Sequence, residues 1–553
     1  MAAPCHVLDE IRVSGTARVK RQNQQSTTAQ ILPATLLGAV AFALVFIITV
    51  APGPGLDPDA LQYMGAAESV AAHGEYRVPK AKWDSHDSTE ALAHFPPGYP
   101  TALALPVRLG MPPAQAARVV QATAAFVTIT TLVLLVSAAA TPLTGVLLAF
   151  ALFAMTSMHE VHVSVLSEPL YLACMTLALA AMVQTPRHPL RSGIPAAVGV
   201  MTRYAGASLV GAVALWHLMQ RGNMIDRVRR AGVALVPALV LQGAWVVRTR
   251  MAAGPGEIRK FAIYGELPRT IEQGLATLTA WIIPDVNADP IPHRGALALA
   301  AAALLVILGG IGAWRIMRAA RAAEPRVGSF VGTSALERDD MRALMAWRLM
   351  VACALLIVCY LGVVGASRIL ADPEIPLDER ILSPVLLLLM TIGAVGLTRW
   401  WQGTRQRVGR VAVAVALTVW WVGSVRATLD EARYALGWGS DFAGRQWRQS
   451  ELLQWARTDG RRTPLYTNWP SAVYFYLHRP SHELPMNMDS DSSTLAAFAD
   501  TVRARNGRVL LFDAETREFA PRDELVKVAG FREVAHVADG VVLGPTPVEH
   551  GHP

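Results

Sequence analysis

Asp57 and Asp59 stand two residues apart in the stretch Leu56-Asp57-Pro58-Asp59-Ala60-Leu61-Gln62-Tyr63, just beyond the first long apolar run. The spacing predicts a helix start. Asp57 fits an N-cap, Pro58 the first helical position, and Asp59 a first turn whose dipole favours negative charge. Gly74 would then stop the helix after His73. One cap suffices, so capping accounts for Asp57 better than for Asp59. A carboxylate at a helix N-terminus stays ionised, and an ionised group is what a general base must be.

Three further residues have the right type and placement for charge chemistry. Glu168 opens an apolar run and is followed by Pro169; as a plain alternative it is a first-turn acid. Arg203 lies within an apolar segment, where an arginine costs roughly 2.5–3.5 kcal/mol and is usually paired or functional; snorkelling to the interface is its plain reading. Arg380 stands where another apolar run begins, beside Asp378 and Glu379, which offer it a local ion pair. Lys80 and Lys82 are weaker cation candidates. His94, with His159 and His162, could join a divalent metal site, yet no two stand at a spacing diagnostic of zinc, and surface positions explain them more simply. The cofactor stays unknown, with a divalent metal cation one option. Tyr76 and Trp83 could stack on a sugar face or anchor a membrane interface.

The elements that must position these residues are membrane helices. Of 553 residues 53% are hydrophobic and 17% charged, with a mean hydropathy of +0.34, too apolar for an ordinary soluble enzyme. The apolar residues gather into runs near the length that a hydrocarbon core of about 30 Å demands. The net charge of +8 comes mostly from arginines in short links between runs, which fits topology and not nucleic acid. Cys5 precedes the first run and Cys174, Cys353 and Cys359 lie inside later ones, so neither disulfides nor a thiolate metal site is indicated.

Arg12, Arg18, Lys20 and Arg21 place residues 1–30 in the cytoplasm. Spans are expected at 31–51, 116–138, 143–158, 165–184, 231–249, 296–315, 345–366, 381–399 and 409–426. Basic clusters on both sides of 194–219 make that stretch a hairpin with Thr202-Arg203-Tyr204 near its tip. Counted as two passes, it brings the total to about eleven crossings. The fold class expected is therefore mainly α: a polytopic helix bundle over 31–426, with a large first outer loop at 52–115 and an extracytoplasmic α/β domain at 427–553. Within the tail, strands are expected at 508–512 and around 541–543, and helices at 441–457 and 493–504. Residues 267–282 carry apolar side chains at helical spacing and read as an interfacial helix.

Pro58-Asp59-Ala60-Leu61-Gln62-Tyr63, His73-Gly74-Glu75-Tyr76 and Phe95-Pro96-Pro97-Gly98-Tyr99-Pro100 together resemble the first outer loop of the GT-C superfamily, integral-membrane glycosyltransferases that use polyprenyl-phosphate sugars. The likeness is greatest to the branch containing protein O-mannosyltransferases, lipid A aminoarabinose transferase and related bacterial family 39 enzymes. Leu166-Ser167-Glu168-Pro169-Leu170-Tyr171, Thr202-Arg203-Tyr204 and Glu379-Arg380-Ile381-Leu382-Ser383-Pro384 extend it, as do Tyr466-Thr467-Asn468-Trp469-Pro470 and Tyr474-Phe475-Tyr476-Leu477 in the tail. The resemblance implies a GT-C-like bundle in a bacterial inner membrane and puts the catalytic aspartate at Asp59, with Glu168 as a second acid. Substrate contacts are expected at Asp57, Tyr63, His94, Arg203 and Arg380. Two positions depart from the pattern: Ala60 where many relatives have Glu, and His94-Phe95 where the aminoarabinose transferases have an acid and then a phosphate-binding Lys.

Residue chemistry leads to the same reaction. Polyprenyl phosphate leaves without a proton, so the carboxyl pair of glycoside hydrolysis can shrink to one base plus cations that stabilise the phosphate. Asp59 would deprotonate an acceptor hydroxyl, on a lipid, glycan or protein, and a single displacement would invert the anomeric centre. The competing readings are a transporter or flippase for a polyprenyl-linked carrier, which calls for polar groups along a path and repeated halves, and a non-catalytic envelope scaffold. No repeat is visible in the sequence.

Overall fold

Helices make up most of the computed structural model, which describes residues 30–253, 267–283, 315, 317–318, 335–370, 375–487, 491–514, 518–527 and 529–545. Six of them are long and apolar enough to cross a membrane: Gln30–Ile48, Pro113–Ala139, Met224–Ala252, Asp339–Leu370, Ser383–Gly403 and Arg407–Trp438. All six fall on expected runs. A seventh crossing is counted if Pro142–Phe153 and Thr156–Val163, bent by 70°, form one span. The protein is a multi-pass membrane protein.

The expected total of about eleven crossings is corrected to six, or up to seven, among the described residues. Length is the reason. Glu168–Gln184 has 17 residues, about 26 Å at 1.5 Å per residue and short of the roughly 30 Å core. Pro189–Thr202 and Ala207–Met219 have 14 and 13 residues, about 20 Å each. They run antiparallel, because Ser192 near the start of one bonds His217 near the end of the other at 3.0 Å. The hairpin expected at 194–219 is thus present, but each arm falls short of a full crossing. Its apolar residues serve burial: Leu209, Ala212 and Val213 join Tyr171 and Leu172 of the Glu168–Gln184 helix in the main core. The run at 296–315 lies outside the described residues except for Arg315.

The Pro58–His73 helix starts and stops as its sequence predicts. The Asp57 side chain accepts from the Asp59 amide, Pro58 takes the first turn, and Gly74 closes the helix at φ 75°, a conformation that costs glycine little. Leu61, Tyr63, Met64 and Ala67 pack with Tyr99, Leu103 and, from far along the chain, Tyr474.

The C-terminal region is α/β. Its strands are β4 (Leu465–Thr467), β5 (Ser481–Glu483), β6 (Arg508–Phe512), β7 (Phe531–Val537) and β8 (Gly540–Pro545). In the first loop, β1 (Arg77–Val78) pairs antiparallel with β3 (Glu90–Ala91), while β2 (Lys80–Ala81) leaves the loop and adds to the C-terminal sheet. That sheet has the order β2-β5-β4-β6-β8-β7; β2, β5, β4 and β6 pair in parallel, and the β6–β8–β7 part is antiparallel. The expected strands at 508–512 and 541–543 are present as β6 and within β8. The helix expected at 441–457 is two pieces, Arg445–Arg448 and Glu451–Thr458, and that at 493–504 is Ser492–Ala504. Leu267–Ile282 is a helix. Trp281 near its end is buried and donates to Ser157 at 3.1 Å, tying this helix into the bundle.

Candidate active site

An extended segment delivers the two aspartates. The Gly55 amide donates to Val163 O at 3.0 Å and the Val165 amide to Gly55 O at 2.8 Å, while the Phe442 amide donates to Leu56 O at 3.1 Å. Residues 55–56 are therefore laced between the loop before the Glu168–Gln184 helix and the start of the C-terminal region. This lacing puts the first turn of the Pro58–His73 helix beside Glu168. Ala60, one residue past Asp59, is fully buried in the apolar cluster under that helix. A glutamate there would have to enter the same packing, so the Ala60 departure is matched by its surroundings.

Arg203 is held at the tip of the short hairpin. Its backbone is extended between the Pro189–Thr202 helix and a 3-10 turn at Tyr204–Gly206, and its side chain points back to form an ion pair with Glu168. Gly98, in the Phe95–Pro100 motif, fixes the tip from the other side: a Cβ there would come within 2.5 Å of Met201 O and 2.9 Å of Thr202 N. The motif's glycine is required by this close approach. Arg380 sits in a turn secured at both ends. Asp378 accepts from the Ile381 amide at 2.8 Å, and Tyr360 donates to Ile381 O at 2.7 Å. The local ion pairs suggested by the sequence do not form, since Asp378 serves as this cap and Glu379 accepts from Ser157.

The side chains converge. Arg380 Nη1 lies 3.2 Å from Asp57 Oδ2 and 3.4 Å from Asp59 Oδ2, and its Nε lies 3.4 Å from Glu168 Oε1. Glu168, only 2% exposed, joins Arg380 to Arg203. Ser167 hydrogen-bonds around this core, 3.3 Å from the Tyr63 hydroxyl and 3.5 Å from Arg203 Nη1. Three carboxylates thus face two guanidiniums. Burial, and then the neighbouring Asp57 charge, raise Asp59 from 3.8 to about 6, against the pull of Arg380. Such a carboxyl is a stronger base than a solvent-exposed aspartate and is still mostly ionised at neutral pH.

Asp57, Asp59, Glu168, Arg203 and Arg380 are brought into one cluster, and Tyr63 reaches it through Ser167. His94 stands at its aromatic edge. It is exposed and stacks edge-on against Phe95 at 4.6 Å, and Phe95 packs on Tyr63 at 4.9 Å. Other candidates go elsewhere. Lys80 pairs with Glu483 at 2.7 Å and Glu90 at 3.8 Å, the Lys82 carbonyl meets His482 at 3.1 Å, and Trp83 packs edge-on against Phe498 at 5.8 Å. Tyr76 packs against Trp245 at 5.2 Å, with Arg248 donating to its carbonyl at 2.7 Å. His162 contacts Met158 O at 2.7 Å. Among the described residues no group of three His, Cys, Asp or Glu is arranged to hold a metal ion.

Sequence reasoning missed Asp441. Its backbone bridges to Leu56, and burial followed by the Asp57 charge raises its carboxyl to about 6. The available signal was an acid two residues after the Gly439 that ends the last long apolar helix. Ser167 lies inside the Leu166–Tyr171 motif, and nothing in its local sequence signals its place between Tyr63 and Arg203.

No family model matches the sequence, and neither does any curated protein. Solved structures do match. ArnT from Cupriavidus metallidurans bound to undecaprenyl phosphate aligns over 93% of this chain and 98% of its own, at 15% identity and a TM-score of 0.55. The arabinofuranosyltransferase AftD from Mycobacteria aligns over 93% of this chain and 42% of its own, at 16% identity and a TM-score of 0.51. The fold of this chain is therefore similar to that of these two membrane glycosyltransferases.

Proposed function

We propose that this chain is a membrane glycosyltransferase that moves a sugar from a polyprenyl-phosphate donor to an acceptor hydroxyl, at the outer face of a bacterial inner membrane. The observation that carries this reading is the meeting of Asp59 with Arg380, 321 residues away in sequence, and of Arg380 with the Glu168–Arg203 pair. Asp59 takes the proton of the acceptor hydroxyl while that oxygen attacks the anomeric carbon. The bond from that carbon to the phosphate oxygen breaks, and the departing phosphate gathers charge beside Arg380 and Arg203. A single displacement inverts the anomeric centre. Glu168 holds the two guanidiniums in register, and Tyr63 and His94 border the sugar side.

The fold shared with ArnT, a structure bound to undecaprenyl phosphate, supports a polyprenyl-phosphate donor. Phe95 stands where aminoarabinose transferases have a phosphate-binding Lys, so Arg380 takes that work here, and the transferred sugar is a hexose or pentose. In a transfer assay with purified protein and a labelled polyprenyl-phosphate sugar, Asp59→Asn should lower turnover by about 10²–10⁴-fold with unchanged melting. Undiminished turnover rejects Asp59 as the base, and movement of the carrier across the bilayer without cleavage would favour a transporter.

A further inference from the structure

Arg380 is heavily subscribed. Its Nη1 carries two hydrogens and contacts both Asp57 and Asp59, and its Nε contacts Glu168. A phosphate gripping a guanidinium in bidentate fashion needs either the Nη1–Nη2 edge or the Nε–Nη2 edge. Each of these edges already holds a carboxylate. An anionic ligand therefore cannot take both donors of an edge without displacing one of them.

The three carboxylates are not equally free to move. Asp57 is fixed from its other oxygen, which accepts from the Asp59 amide at 3.0 Å. Glu168 is buried and also tied to Arg203. Among the described residues the side chain of Asp59 has Arg380 as its one polar partner, at 3.4 Å, and it is about a quarter exposed, at 27%. Asp59 is the ligand of Arg380 that can leave.

The geometry points to a partner exchange in which the donor phosphate takes the place of the Asp59 carboxylate on Arg380, so that arrival of the donor is what frees the base for the acceptor hydroxyl. This rests on the polyprenyl-phosphate reading above and adds a regulation to that site. Binding is then ordered, donor before acceptor. It also follows that the catalytic aspartate opposes donor binding, so that removing its charge should improve affinity while destroying turnover.

The test is direct binding of undecaprenyl phosphate to the purified full-length protein in nanodiscs. Wild type is compared with Asp59→Asn, Asp59→Ala and Arg380→Gln, each checked for folding by thermal melting. Asp59→Asn should bind about two- to fivefold more tightly than wild type, the scale set by freeing one ion pair at the edge of solvent, and Arg380→Gln should bind more weakly. Asp59→Ala gives the same answer should the asparagine form bonds of its own. If wild type binds and Arg380→Gln weakens binding, but neither Asp59 variant tightens it, the exchange is overturned and the transferase reading stands. Equal binding by wild type and Arg380→Gln also overturns it, because the phosphate would then lie elsewhere. If wild type does not bind undecaprenyl phosphate at all, the donor assignment itself fails.

Discussion

The two ends of the Pro58–His73 helix are held by different physics. Its N-terminal turn presents Asp59 to an arginine that Asp57 and Glu168 share, a cluster of unbalanced charge with partners to spare. Its later turns meet the C-terminal region mainly through packing and a hydrogen bond. Tyr474 donates to Glu68 at 2.5 Å, and Tyr63, Met64 and Ala67 pack in one apolar cluster with the Tyr474 ring. β2 and the Lys80–Glu483 pair bind the following loop to the same region. Charge at one end can be exchanged for a substrate's charge, whereas packing at the other can only hold or fail. Chemistry is thus expected to be sensitive at the N-terminal end and stability at the C-terminal end.

After the loss at Asp59, the largest expected effect is at Arg380. Arg380→Gln removes the cation nearest the proposed leaving phosphate and should lower turnover by about 10²–10³-fold, measured with saturating donor. It also leaves Asp57, Asp59 and Glu168 facing one another with only Arg203 in reach, so the pH dependence should move as well. A variant with wild-type turnover would show that the charged end is only structural and would erase the contrast.

The acidic limb of the rate profile comes next. Asp59 is raised to about 6, and the base works only when ionised, so kcat/KM should fall about tenfold per pH unit below that value and level off above it. A limb near 4 would mean that Asp59 is neither buried nor coupled as described. Asp441 is raised to a similar value, and Asp441→Asn separates the two. The limb should persist in this variant if Asp59 is its source.

Gly98→Ala probes how the hairpin tip is placed. The added methyl would meet Met201 O at 2.5 Å, and backbone must move to admit it, at a cost of roughly 1–3 kcal/mol. Because the tip carries Arg203, turnover and melting temperature should fall together, unlike at Arg380, where turnover falls far more than stability.

The same division explains what could be read from the sequence. Local rules were visible: the Asp57 cap and Gly74 stop, the turn at Thr202-Arg203-Tyr204, and the strands at 508–512 and 541–543. The number of crossings was not, because an apolar run reads alike whether it faces lipid or other helices. Arg407–Trp438 is apolar and buries only Ser424 and Ala432. Glu168–Gln184 is apolar too, yet most of it is buried within the protein, and only its length separates it from a span. Individual residues of the charge cluster were flagged by the cost of ions in apolar stretches, but the sequence offered Arg380 two acids next door and no sign that its partners lie 323 and 321 residues back. Likewise nothing local says that Lys80–Ala81 completes a sheet whose other strands begin at Leu465.

The smallest effect is the one that most sharpens the comparison. Tyr474→Phe keeps the ring that packs beside Tyr63 and Met64 and removes only the hydroxyl that donates to Glu68. One lost hydrogen bond to a part-buried acceptor should cost about 1 kcal/mol, seen as a slightly lower melting temperature in detergent. Turnover at saturating donor should stay near wild type, since Asp59 lies at the opposite end of a helix whose start is fixed by its own cap and by residues 55–56. If the variant instead melts like wild type and transfers poorly, the C-terminal region takes part in the chemistry, and the helix couples its two ends instead of separating them.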